Sequence, residues 1–441
     1  MSLSPDPAAS TATRPRRIYV DCTETAMTSR QTGIQRVVRN IVRHGRIVAR
    51  TLGVECVPVR FVDGAFRTAG PLACRSGATG LFRLDGDRPK RGGRARDRGK
   101  VLTPRALAAK LSRASQTALG GGLAAEWQDG DVLLLADASW ERPLWFAVSQ
   151  AQAAGVSIGT IQYDLIPILH PDLVPEGLTA VFSRWMEKAV RASDFFACIS
   201  EAVRHQMRAY TATGGPQPAR CADRIFSFPL GSNIDSGGAT KVRRSVRVPF
   251  ERRDGAGTYI AVGTIEPRKN QALALQTFEL LWRRRHNVSL VLVGKQGWSS
   301  GPLMQSIRAH PQYGENLFVF DDVTDAELRW CYRHARALVF PSKAEGFGLP
   351  IIEATRAGLP VFASEIPVHC EVGGSHCRFF DPHNPFELAR LVEEFEHHRE
   401  PVATGWSQDG FPRWSDCVGE LFKQCLELAE DAARTTDRRA A

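Results

Sequence analysis

Pro341 to Pro360 reads PSKAEGFGLPIIEATRAGLP, with two carboxylates, Glu345 and Glu353, separated by seven residues around a glycine-rich turn. Together with the two residues before it, VFPSKAEGFG is a strand end running into a loop. Pro350 falls where the first helical turn starts, a position that tolerates its missing N–H. The helix IIEATRA then stops at Gly358, a residue free to adopt the left-handed cap. Gly346 and Gly348 carry no side chain, so ligand atoms can approach the main chain. The unpaired N–H groups of the helix start suit an anion such as a phosphate. Glu345 in the loop and Glu353 on the first turn would face the two ends of such a ligand. The plain alternative is a strand–loop–helix junction whose acids are solvated.

An anion site flanked by acids suits a nucleotide sugar, whose phosphates lie between hydroxyl-rich ends that donate to carboxylates. The whole EGFGLPIIEA context resembles the signature of the retaining glycosyltransferases of family four. That resemblance implies an α/β chain of two Rossmann-like domains facing a cleft (the GT-B fold), with a C-terminal helix crossing back to the first domain. It also implies that Glu345 holds the donor sugar and Glu353 the ribose, with Gly346, Phe347 and Gly348 lining the donor site.

The segment YIAVGTIEPRKN places a strand at Tyr259 to Val262, a turn at Gly263, and Arg268 and Lys269 just ahead of the helix QALALQTFELLWRR. Two cations beside a helix start form a diphosphate trap. In the resembled family, an Arg after the turn glycine and a Lys five residues later neutralise the leaving diphosphate. Lys269 matches that Lys, Thr264 stands at the Arg position, and Arg268 would supply the charge. GTIEPRKN resembles a subgroup of bacterial polysaccharide mannosyltransferases, which implies GDP-mannose as donor, ahead of UDP-glucose or another UDP-hexose. Gly294 and Lys295 end the strand VSLVLVGK on the same side of the cleft, and Thr324 or Asp325 caps a later helix.

The first half opens with a buried strand, Arg17 to Asp21, and a polar loop, CTETAMTSRQ. In TGIQRVVRNIVRHG the apolar residues Ile34, Val37, Val38, Ile41 and Val42 recur at helical spacing. Thr32-Gly33 stands where many family members carry Gly-Gly near the donor phosphates, so Gly33 is a donor-side candidate. Arg36 and Arg39 are either solvated helix charges or ligands. Asp129-Gly130-Asp131 directly precedes a strand and reads as a tight turn rather than a metal-binding Asp-x-Asp. Tyr163-Asp164 lies at a strand end, where α/β domains place their chemistry. Related transferases have a His at the Tyr163 position that touches the donor sugar, a role His170 could take instead. Asp164, Tyr163 and His170 form the acceptor-side set. Ser200 caps a helix.

Length and charge fit this organisation. A chain of 441 residues suggests two or three domains. The reading divides it into a first domain at 17–235, a linker at 236–257, a second domain at 258–400 and a crossing helix at 401–435. The formal charge is +10, and between Arg83 and Arg113 eleven Lys or Arg outnumber three Asp. That insertion is either a solvated loop or a basic patch that meets an anionic membrane or polyanionic glycan. No aromatic interleaving supports nucleic acid as a partner. The N-terminus lacks the apolar run of a secretory signal, no apolar stretch is long enough to span a membrane, and ten scattered cysteines fit a reduced cytoplasmic compartment. His369-Cys370 and His376-Cys377 lack the spacing of a structural zinc knuckle, so no metal is expected.

The expected function is therefore transfer of a hexose from a nucleotide sugar to a glycan or lipid-linked acceptor in surface polysaccharide assembly. The resemblance implies retention of configuration, no metal and no further cofactor. The rivals are a non-catalytic glycan- or polyanion-binding protein on a degenerate transferase scaffold, and an epimerase or phosphorylase of the same fold.

Overall fold

The computed structural model describes residues 16–28, 33–70, 122–214, 221–231, 241–252, 254–398 and 412–440, with side chains to 432. The basic insertion at 83–113 and Thr32 lie outside the described residues.

Two sheets organise the chain. The first holds β1 (Arg17–Asp21), β2 (Glu55–Val62), β3 (Ala65–Thr68), β4 (Val132–Leu135), β5 (Ser157–Gln162), β6 (Phe195–Cys198) and β7 (Ile225–Ser227). Their order is β3-β2-β1-β4-β5-β6-β7, parallel except for the β2–β3 hairpin. The second holds β8 (Gly257–Val262), β9 (Val288–Val293), β10 (Leu317–Phe320), β11 (Ala337–Phe340), β12 (Val361–Ser364) and β13 (Cys377–Phe380). It is wholly parallel, in the order β10-β9-β8-β11-β12-β13. Central strands such as VLLL of β4 and ALVF of β11 are buried along their whole length, as parallel strands covered by helices on both faces must be.

Each sheet reverses its direction of growth once, between β1 and β4 in the first and between β8 and β11 in the second. Loops leaving the carboxyl ends of strands at such a reversal splay apart and leave a crevice. The turn after β8 carries Gly263 to Lys269, and the loop after β11 carries Pro341 to Gly348.

The loop expected after β1 contains a short helix instead, Thr23–Met27. Asp21 initiates it, its Oδ1 accepting from the Thr23 amide at 3.0 Å, and this local carboxylate–amide bond is what the polar composition concealed. The linker stretch also differs from expectation. Residues 241–252 include a helical turn at Arg244–Arg247 with Val246 fully buried. Arg243 clamps the turn to the second domain through Glu327 at 2.7 Å and Asp322 at 2.5 Å. β8 begins at Gly257 rather than Tyr259.

The final helix runs from Trp414 to Ala440 and packs on the helix Gly33–Thr51 of the first domain. Two glycines let it come close. A Cβ at Gly45 would lie 2.9 Å from the Phe422 ring, and one at Gly231 would lie 2.5 Å from Trp414. Val418, Leu421, Phe422 and Cys425 join the first domain's core, so the chain's end buries itself in its beginning. No helix among the described residues is long and apolar enough to cross a membrane.

Candidate active site

The turn after β8 is shaped by Gly263 at φ +146° and by Asn270 in the left-handed region. The Asn270 amide donates to the carbonyls of Pro341 at 3.1 Å and Pro382 at 2.8 Å, and so ties the β8 turn to the ends of β11 and β13. The Lys343 amide adds a 2.8 Å bond to the Arg268 carbonyl. Arg268 and Lys269 are thus presented as a fixed pair ahead of the helix Gln271–Arg283.

Both cations meet Glu345. Arg268 Nη1 lies 2.7 Å from Glu345 Oε2, and Lys269 Nζ pairs with Oε1. Arg268 also binds Glu266 at 2.8 Å and the Ala344 carbonyl at 3.0 Å. Burial pushes the Glu345 carboxyl up, but Arg268 and Lys269 together outweigh it and hold it well below the usual carboxylate range. Burial also lowers the Lys269 pKa, with Glu345 opposing. Two cations and two carboxylates balance here, so an arriving diphosphate finds side chains that are preplaced but already paired.

The signature loop is pressed against the first domain. A Cβ on Gly346 would lie 1.9 Å from the Tyr163 carbonyl oxygen, so no other residue fits. The Gly346 carbonyl accepts from Ser200 Oγ at 2.9 Å, and Ser200 also caps the helix Glu201–Ala209. Gly348 takes φ +108° to start the helix Leu349–Arg356, with Pro350 in its first turn. Phe347, read from sequence as a donor-site residue, is buried in the first domain's core cluster beside Tyr163. Asp164 faces the same crevice. Burial raises its pKa, with Arg268 opposing, and its Oδ1 accepts from the Ile166 amide at 3.0 Å.

Other candidates are placed differently. The Tyr163 hydroxyl donates to the Ala136 carbonyl at 2.6 Å, inside the first domain, so its polar end is directed away from the cleft. His170 is exposed at the end of a short helix and is not gathered into the cluster. Gly294 serves a backbone crossing, since a Cβ there would fall 1.9 Å from the Gly263 carbonyl oxygen. Lys295 is exposed, Thr264 is half-buried with its carbonyl bound to Gln271, and Gly33 opens the first-domain helix with nothing within 4 Å of a Cβ. Thr324 makes a full capping box with Glu327.

Glu353 is buried. Its Oε2 accepts from the Tyr332 hydroxyl at 3.0 Å, and its Oε1 lies 2.6 Å from Arg36 Nη2 of the first domain. Sequence reasoning left Arg36 open and missed Tyr332. Their contacts with Glu353 are long-range, and neither side chain has a local motif to announce it. His369 is also buried under the signature loop. Ser364 Oγ donates to the Ser342 carbonyl, which leaves the His369 Nδ1–H to donate to the Ser364 carbonyl at 3.0 Å. Burial lowers its pKa to about 4, so the ring is neutral.

Part of the sequence, and the fold as a whole, match known proteins. Residues 242–408 match the family described as glycosyl transferases group 1. The chain is 33% identical over 286 residues to a serotype-specific mannosyltransferase, WbdA, of Escherichia coli, covering 64% of this chain and 34% of that protein. It is 37% identical over 171 residues to O-antigen chain mannosyltransferase B of Escherichia coli, covering 38% of this chain and 45% of that one. The chain therefore spans about a third of the length of the first relative and under half of the second. Among solved structures, Anabaena Alr3699/HepE in complex with UDP-glucose superposes with a TM-score of 0.54 at 14% identity, covering 96% of this chain and 99% of that one. Sucrose-phosphate synthase from Thermosynechococcus elongatus gives the same TM-score and identity, covering 96% and 98%. With two parallel-sheet domains closed on a cleft, and the group 1 match lying over the second of them, the fold is that of the GT-B glycosyltransferases.

Proposed function

We propose that the chain is a glycosyltransferase that moves a hexose from a nucleotide sugar to a glycan or lipid-linked acceptor in bacterial surface polysaccharide synthesis. The observation that carries this reading is the meeting of Arg268, Lys269 and Glu345 at the carboxyl-end crevice between β8 and β11. The mannosyltransferase relatives and the GTIEPRKN pattern support mannose, and GDP-mannose as the donor.

In this account the donor diphosphate displaces Glu345 from the two cations, which then stabilise the charge that develops as the phosphate departs. Released from them, Glu345 accepts hydrogen bonds from the donor hexose and orients it. It acts as a positioning carboxylate rather than a covalent nucleophile. The acceptor hydroxyl approaches the face from which the diphosphate leaves, and the leaving phosphate takes its proton. Configuration is thereby retained. The protein supplies the counter-charge from Lys269, Arg268 and helix N-termini, so the proposed step calls on no metal and no cofactor beyond the donor. Contact with an anionic membrane is proposed for the acceptor side only, where a lipid-linked acceptor would be met.

A thermal-shift screen against GDP, UDP, dTDP and ADP, each with and without its sugar, tests the reading. A ligand at about a hundred times its dissociation constant stabilises by about 2.7 kcal/mol. A shift with GDP and GDP-mannose alone is expected. A shift confined to UDP compounds would keep the transferase and discard mannose, and no shift with any of them would overturn the proposal in favour of a binding protein.

A further inference from the structure

Arg36 lies one turn into the helix Gly33–Thr51 and reaches across the cleft to Glu353, 2.6 Å away. The acid is 3% exposed and the arginine 31%, so the guanidinium covers the carboxylate and keeps part of its own surface accessible. The contact runs through Nη2 of Arg36, Asp325 adds a more distant acidic neighbour, and the first turn of the Arg36 helix holds no acid. The opposite wall is electrically balanced: Arg268 and Lys269 are matched by Glu266 and Glu345. Thr264 adds no charge. The cations at the β8 turn are both committed to carboxylates, Lys295 of the same domain is exposed, and Arg36 is a cation that the fold brings up to the second domain from the first.

We propose that Arg36 is the first domain's contact with the donor nucleotide, its guanidinium bridging Glu353 and the diphosphate. This rests on the nucleotide-sugar reading given above. A planar fork of five donors can hold a carboxylate on one edge and phosphate oxygens on another, which an ammonium cannot do. Because Arg36 and Glu353 belong to different domains, nucleotide binding and apposition of the two walls become one event. Arg36 is then a positioning residue for the donor.

The test is calorimetric titration of the full chain with GDP and UDP and with guanosine and uridine, for the wild type, Arg36→Gln, Arg36→Lys and the double variant Arg36→Gln/Glu353→Gln. The expected result is a loss of roughly tenfold or more in diphosphate affinity for Arg36→Gln, with nucleoside affinity no weaker and Arg36→Lys in between. The double variant restores neutrality at the buried acid, so it separates misfolding from ligand loss, and it is expected to stay weak for the diphosphate. Unchanged diphosphate affinity in Arg36→Gln, or an equal loss for nucleoside and diphosphate, would overturn the inference while leaving the function intact. A wild type that binds none of the four would overturn the underlying reading and this inference with it.

Discussion

Glu345 has two partners of opposite charge in a pocket where none of the three side chains is more than 21% exposed. Removing the acid leaves Arg268 and Lys269 facing each other in a low-dielectric site, a change that costs about 3 kcal/mol when an ion pair is broken from one side. Glu345→Gln is therefore expected to lower stability by up to that amount in urea denaturation. Transfer is expected to fall about a hundredfold or more if Glu345 orients the donor as proposed. Wild-type transfer in this variant would remove Glu345 from the mechanism. Lys269 carries a second expectation. Its pKa is lowered by burial, and a bound diphosphate would raise it again, so nucleoside diphosphate affinity is expected to weaken as pH rises through the Lys269 titration. An affinity flat across the alkaline range would contradict this.

At the level of elements, the strand ends of the first sheet hold a pair of buried acids. Asp21 ends β1, and its Oδ2 accepts from Ser139 at 2.9 Å. Asp137 follows β4, and its Oδ2 accepts from the Thr25 amide at 2.6 Å. Burial, and secondarily Asp137, raises the Asp21 pKa to about 7, against the hydrogen bonds from Thr23 and Ser139. A carboxyl whose folded pKa is raised stabilises fully below its unfolded pKa, and that contribution is lost as pH climbs to the folded value. Between about pH 4 and 7 the wild type should thus lose on the order of 2–4 kcal/mol that Asp21→Asn does not lose. Melting temperatures of the two proteins across that range check it, and parallel curves would refute it.

The same elements show what the sequence discloses. Strand, turn glycine, cation pair and helix follow one another within a dozen residues, so the β8 turn and the signature loop are legible from local pattern alone. So is the Ser200 cap, whose partner lies three residues on, while the later cap is legible only as Thr324 or Asp325 and the structure settles it on Thr324. The direction of the Tyr163 hydroxyl is not legible, because the Ala136 carbonyl that captures it belongs to another strand's end. Nor is the Arg36–Glu353 pair, which joins helices from opposite ends of the chain.

At the scale of the whole molecule, bonds at three places among the described residues link the domains around the cleft: Arg36 to Glu353, Ser200 to Gly346, and Glu371 to the amides of Glu201 and Ala202 at 2.7 and 2.8 Å. The Glu371 carboxylate sits on the N-terminus of the helix Glu201–Ala209, where the free N–H groups and the helix dipole both favour it. Gly346 sets how close the walls can come. Gly346→Ala puts a methyl into the Tyr163 carbonyl and is expected to hold the domains apart, with a larger radius of gyration in X-ray scattering and transfer reduced about a hundredfold or more. An unchanged radius and rate would show that this closed arrangement is not the working one.

The central claim is that the donor diphosphate is held where the β8 turn meets the signature loop. The most direct test is calorimetric titration of GDP, and of UDP in parallel, into the wild type and Lys269→Ala. The account predicts saturable binding of one of them to the wild type and affinity at least about tenfold weaker in the variant, from loss of a charge-assisted contact. Equal affinities in the two proteins would place the phosphates elsewhere and contradict the assignment.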